Sequence, residues 1–94
     1  MTIAWTKLAL RDLHRVRNYI AADRPRAADD IVERLGRAVE SLLSYANLGR
    51  RGRVRGTREL VIVGTPYLVP YRVKKKRIEV LAVLHGARRW PDEF

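Results

Sequence analysis

Apolar positions along the first half of the chain recur at helical spacing. Ala9, Leu13, Val16 and Ile20 fall on one face of a helix over residues 7–22, with Arg11, Arg15 and Arg17 away from it. Thr6 stands where an N-cap belongs. Asp23-Arg24-Pro25 interrupts the pattern, and Pro25 suits the first turn of a second helix because its missing N–H costs nothing there. Ala28, Ile31, Val32, Leu35, Val39, Leu42 and Leu43 carry that helix to about Ala46. Gly36 inside it is expected to allow close packing against the first helix. Two amphipathic helices joined by so short a turn predict an antiparallel hairpin.

The remaining pattern is strand-like. Thr2–Thr6 alternates briefly, and three further runs follow a turn-rich stretch: Arg58–Val63, Tyr67–Val73 and Arg77–Leu84. Gly64-Thr65-Pro66 and Lys74-Lys75-Lys76 separate them, and such short links require antiparallel neighbours. Tyr67, Val69, Tyr71 and Val73 share one face of their strand. Pro70 removes a ladder donor, so that strand is expected to bulge or to face an edge there. The tail from His85 to Phe94 is expected to pack back through Trp90 and Phe94. The predicted architecture is α+β, in the order β-α-α-β-β-β: a helical hairpin on one face of a small antiparallel sheet. The opening strand is expected beside the run 77–84 or at an edge. At 94 residues the chain makes a single domain, residues 1–94.

Charge changes the picture more than composition does. The formal net charge is +10, and it is unevenly placed. Residues 1–46 hold eight basic and six acidic groups, whereas residues 47–94 hold twelve and four. A half so lopsided points to an acidic or polyanionic partner. Asn47–Gly56, with Gly49, Gly52 and Gly56 among Arg50, Arg51, Arg53 and Arg55, reads as a basic loop with no core element in it. The absence of cysteine excludes disulfides, thiolate metal sites and cysteine nucleophiles. No metal site and no cofactor is expected. No apolar run reaches the length of a membrane span, and the N-terminus lacks the pattern of a signal peptide, so a cytoplasmic location is expected.

Five stretches together resemble the RelE/ParE superfamily of type II toxins. They are WTKLALRDL (5–13), YIAADRPRAA (19–28), LGRRGRVRGTRELV (48–61), PYLVPYRV (66–73) and IEVLAVLHGARRWP (78–91). They match, in register, that family's opening strand and first helix, its helix-to-helix turn, its basic loop, its central strand and its last strand with the C-terminal segment. The resemblance implies a toxin that arrests growth. It also implies a cognate antitoxin whose acidic amphipathic segment wraps it, so that a hetero-oligomer forms. Two kinds of action follow. ParE-like members poison DNA gyrase; RelE-like members cut mRNA on the ribosome without a metal.

Cleavage of RNA needs a base for the 2′-OH, an acid for the 5′-oxygen and cations for the phosphorane. Glu59, Arg72 and His85 supply those residue types. Arg50, Arg51, Arg53, Arg55, Arg58, Arg88, Arg89 and Trp90 are the candidates for contact with a target or a nucleic acid. Each has a plainer reading: Glu59 pairs with a neighbouring arginine, His85 is a structural histidine, Arg72 is a solvated strand residue, and Trp90 is core with Arg88 and Arg89 at its rim. RNA-cleaving relatives carry an arginine two residues before the position of Pro70, where this chain has Leu68. The resemblance therefore favours the ParE-like branch, with ribosome-dependent mRNA cleavage as the alternative. A free nucleic-acid-binding module is disfavoured, since no RNP, KH, helix-turn-helix or zinc-finger signature is present.

Overall fold

A computed structural model describes all 94 residues. The opening strand β1 (Thr2–Trp5) gives way at once to α1 (Lys7–Ala21), because Thr6 caps the helix. Its hydroxyl accepts from the Ala9 amide at 3.1 Å, a bond of the kind that stabilises by about 1 kcal/mol. After the Asp23-Arg24 break, α2 (Pro25–Glu40) starts on its proline as the sequence predicts. It ends earlier than its apolar spacing suggests. Ser41–Leu43 winds into a single 3-10 turn, with the Ser41 hydroxyl donating to the Ala38 carbonyl at 2.6 Å.

Five more strands follow, where the sequence predicts three. β2 (Arg50–Arg51) lies inside the supposed loop, and β3 (Arg58–Val61) pairs with it. β4 (Tyr67–Val73) runs as predicted. The last run divides into β5 (Arg77–Val80) and β6 (Leu84–His85). The sheet order is β1-β5-β4-β3-β2, with β6 beside β4. The neighbours from β5 to β2 are antiparallel, whereas β1 returns to the edge beside β5 in parallel, so the whole sheet is mixed.

Pro70 explains the division. Tyr71 stands opposite Val80 and Leu68 opposite Leu84, so three residues, Leu81–Val83, face the two residues Val69 and Pro70. That is a bulge, as expected for a proline inside a sheet. The Pro70 carbonyl accepts from Leu81 at 2.9 Å, so its missing N–H also points at the bulge and not at β3. The first helix and its cap satisfy two of the bulge's other backbone groups. The Asp12 carboxylate accepts from the Val83 amide, and the Thr6 hydroxyl donates to the Leu81 carbonyl, each at 3.1 Å.

The core lies between the helix pair and one sheet face. Leu35, Val39 and Leu42 meet Leu60, Ile62, Val69, Tyr71, Ile78 and Val80 there, all buried. Truncating one such leucine to alanine costs about 2–5 kcal/mol. Gly36 takes no part in this packing: a Cβ there would meet nothing within 4 Å, so the close helix approach expected of it is absent.

Candidate functional site

Register decides which candidates meet. In an antiparallel pair, opposed residues point to the same face, and neighbours along a strand alternate. Tyr67, Val69 and Tyr71 of β4 point into the core, as expected. His85 opposes Tyr67 and therefore points to the helix side. Glu59 opposes Pro70 and points to the other side, where Arg72 also lies. The candidate acid and base thus stand on opposite faces of the sheet, across different neighbours of β4.

Glu59 is 2 % exposed and fully engaged. Its Oε1 accepts from the Arg50 guanidinium at 3.1 Å and its Oε2 accepts from the Arg53 amide at 2.7 Å, with Arg53 Nε a further 3.7 Å away. This is the plainer reading of Glu59, an ion pair at the strand, with two arginines rather than one. His85 packs edge-on against Tyr67, ring centroids 5.7 Å apart, and its Nδ1 accepts from the Ala87 amide at 3.1 Å. Arg72 is half-buried and has no carboxylate within 4 Å; its register partner Glu79 pairs with Arg77 instead. Leu68 is buried.

Five arginines of the β2–β3 hairpin divide into two groups. Arg50 and Arg53 close on Glu59. Arg51, Arg55 and Arg58 line a separate pocket of about 500 Å³ with Gly52, Gly56, Thr57 and Val73. The hairpin holds its shape through Gly52 N–H to the Thr57 carbonyl (2.8 Å) and through Gly56, whose φ of +78° suits glycine. Arg58 also donates to the Gly49 carbonyl at 2.8 Å. Gly49 lets the chain pass Tyr71, since a Cβ there would lie 2.8 Å from the Tyr71 oxygen.

The C-terminal segment does fold back through Trp90, but not as expected. The cation over its ring is Arg53, 3.9 Å from the centroid, while Trp90 Nε1 donates to the His85 carbonyl at 3.4 Å. Phe94 is half-buried. Arg88 and Arg89 point elsewhere. They line a groove of about 450 Å³ on the helix side, with Asp12, Arg15, Val16 and Tyr19 of α1 and with Tyr67, Leu84 and His85. Arg15 and Tyr19 were not singled out in the sequence. Their spacing from Asp12 and Val16 along one helix face was the available signal. Burial pushes the Tyr67 hydroxyl above its ordinary pKa; Tyr19 adds to this and Arg88 opposes it. Burial likewise raises Tyr71, against the Gly49 amide and Arg58. No three His, Asp or Glu side chains gather as a metal site, and no helix is long and apolar enough to cross a membrane.

Comparison with known proteins shows the family and the fold. Residues 3–90 match the family described as ParE toxin of type II toxin-antitoxin system, parDE. A putative toxin, Y4kP of Sinorhizobium fredii, is 45 % identical over 90 residues, covering 96 % of this chain and 93 % of that protein. Toxin RelE2 of Caulobacter vibrioides is 37 % identical over 86 residues, covering 92 % and 96 %. A structure described as the chromosomal ParDE TA system from P. aeruginosa superposes with a TM-score of 0.82 at 28 % identity, over 90 % of this chain and 95 % of that one. A YoeB/ParE toxin from Agrobacterium tumefaciens shares the fold, with a TM-score of 0.61 at 20 % identity over 90 % and 98 %. The chain is therefore a member of the ParE toxin family, a type II toxin of the RelE/ParE superfamily.

Proposed function

We propose that this toxin arrests growth by binding and poisoning DNA gyrase, and that it does not cut RNA. The observation that carries the reading is the separation of Glu59 and His85 by the sheet. A base and an acid serving one phosphodiester must both reach it, within hydrogen-bond distance or through one water. Glu59 has in addition both carboxylate oxygens engaged, and Leu68 offers no charge to a phosphorane. Arg50 and Arg53, tied to Glu59, shape the hairpin; Arg51, Arg55, Arg58 and Arg72 remain for the target.

A cognate antitoxin neutralises it in this reading. The helix-side groove suits an acidic amphipathic segment: Val16, Tyr19, Tyr67 and Leu84 offer apolar surface, and Arg15, Arg88 and Arg89 supply charge at its edge. Purified toxin with gyrase, relaxed plasmid and ATP tests the main claim. Loss of supercoiling with accumulation of cleaved DNA is the expected result. Full supercoiling at a large excess of toxin would overturn it.

A further inference from the structure

The β2–β3 hairpin sorts its five arginines unequally. The carboxylate it holds, Glu59, pairs with both Arg50 and Arg53 on one face. On the other face Arg51 and Arg58 are direct cross-strand partners, and neither they nor Arg55 has a carboxylate within 4 Å. Like charges directly opposed on a sheet are destabilising. Here they stand on a braced frame: Gly52 bonded to Thr57, Thr57 bonded to Val54, Val54 buried, and Arg58 anchored on the Gly49 carbonyl. The pocket they line contains one apolar side chain, Val73.

We propose that Arg51, Arg55 and Arg58 form a phosphate site, taking a phosphodiester of the nucleic acid at which the toxin acts. Guanidinium groups bind phosphate oxygens through paired, charge-assisted hydrogen bonds, and three of them around one pocket exceed what a single carboxylate requires. An acidic amphipathic peptide fits less well, because it needs apolar surface that this pocket lacks and the helix-side groove has. The proposal rests on reading the basic hairpin as the target-facing surface. It is assayed without gyrase, so its failure and that of the gyrase reading are separate results.

The test titrates isotope-labelled toxin with inorganic phosphate, and measures binding of single-stranded and duplex 12-mers by fluorescence anisotropy. The Gly52, Gly56 and Thr57 amides and the three arginine Nε–H groups should move with phosphate. Arg51→Gln with Arg55→Gln should weaken oligonucleotide binding at least tenfold. It should also reduce the slope of log K against log salt on the duplex by up to about 2. Arg51→Lys with Arg55→Lys, which keeps charge but not the paired geometry, should fall between. Arg24→Gln with Arg26→Gln, an equal charge loss on the helix–helix turn, is the control. Response to phosphate with no oligonucleotide binding would keep the phosphate site and make its ligand a free phosphate. A hairpin loss no larger than the control's, no response to phosphate, or a glutamate-rich peptide binding there in its stead would overturn the proposal.

Discussion

The carboxylate of Asp12, in the first helix, accepts a hydrogen bond from the backbone amide of Val83, 71 residues away, at 3.1 Å. Val83 lies in the bulge that Pro70 imposes, where ladder pairing lapses. A side chain on the helix layer thereby replaces a bond the sheet cannot make. Asp12→Ala leaves a buried amide without a partner and should cost about 1–3 kcal/mol in urea unfolding. Asp12→Asn keeps an acceptor oxygen and should cost less than half of that. An alanine variant as stable as the parent would show that water satisfies Val83.

Glu59→Gln should destabilise by about 2 kcal/mol, since hydrogen bonds to charged groups are each worth about 1.5–3 kcal/mol. Arg50 and Arg53 are half-exposed and water compensates part of the loss. Unfolding midpoints measure this. The loss should shrink in high salt, which screens the freed arginines from one another.

Two of the four tyrosines should titrate late. Tyr19 and Tyr45 are exposed, while Tyr67 and Tyr71 are buried with raised pKa values. A raised value in the folded state means that the folded chain holds its phenolic protons more tightly. The stability this represents is complete below about pH 10 and is lost as pH rises beyond it. The late part of the rise in absorbance near 295 nm should coincide with loss of helical circular dichroism. Tyr71→Phe also removes the hydroxyl that accepts from Gly49 and donates to Ala46, both at 2.8 Å, and should cost about 1–3 kcal/mol.

Trp90→Ala should free the C-terminal segment. The ring carries the Arg53 guanidinium, a contact worth about 0.5–1 kcal/mol at a half-exposed site, and its Nε1–H holds the His85 carbonyl. Brief trypsin treatment should then cut at Arg88 and Arg89 faster than in the parent, with the rest of the domain intact. Equal rates would mean that the segment is held by other contacts.

Helical spacing and strand alternation made both helices and the buried face of β4 legible, because burial on one side leaves a periodic trace. The break at Pro70 was legible too, as proline announces a missing donor. The short β2 was not, since two arginines flanked by glycines carry no apolar alternation; β3 recruits them through backbone pairing and the Arg50–Glu59 ion pair. Asp12 was hidden because a charged residue on a helix reads as solvated unless its distant partner is known. For the site, residue types were visible but their faces were not. The side of the sheet that each of Glu59 and His85 takes depends on the register of β3 and of β6 against β4, and the bulge shifts the register of β6 by one residue relative to β5. The stacking of Trp90 on Arg53, 37 positions away rather than on its neighbours, was hidden for the same reason.

Mapping of mRNA ends in a reconstituted translation reaction probes the separation of Glu59 and His85 most directly. With the toxin at several-fold excess over ribosomes, intact message and full-length product are expected, for the parent and for His85→Ala alike. Message cut at ribosome-bound codons by the parent, and spared by both Glu59→Gln and His85→Ala, would contradict it, because the two groups would then be acting on one phosphodiester.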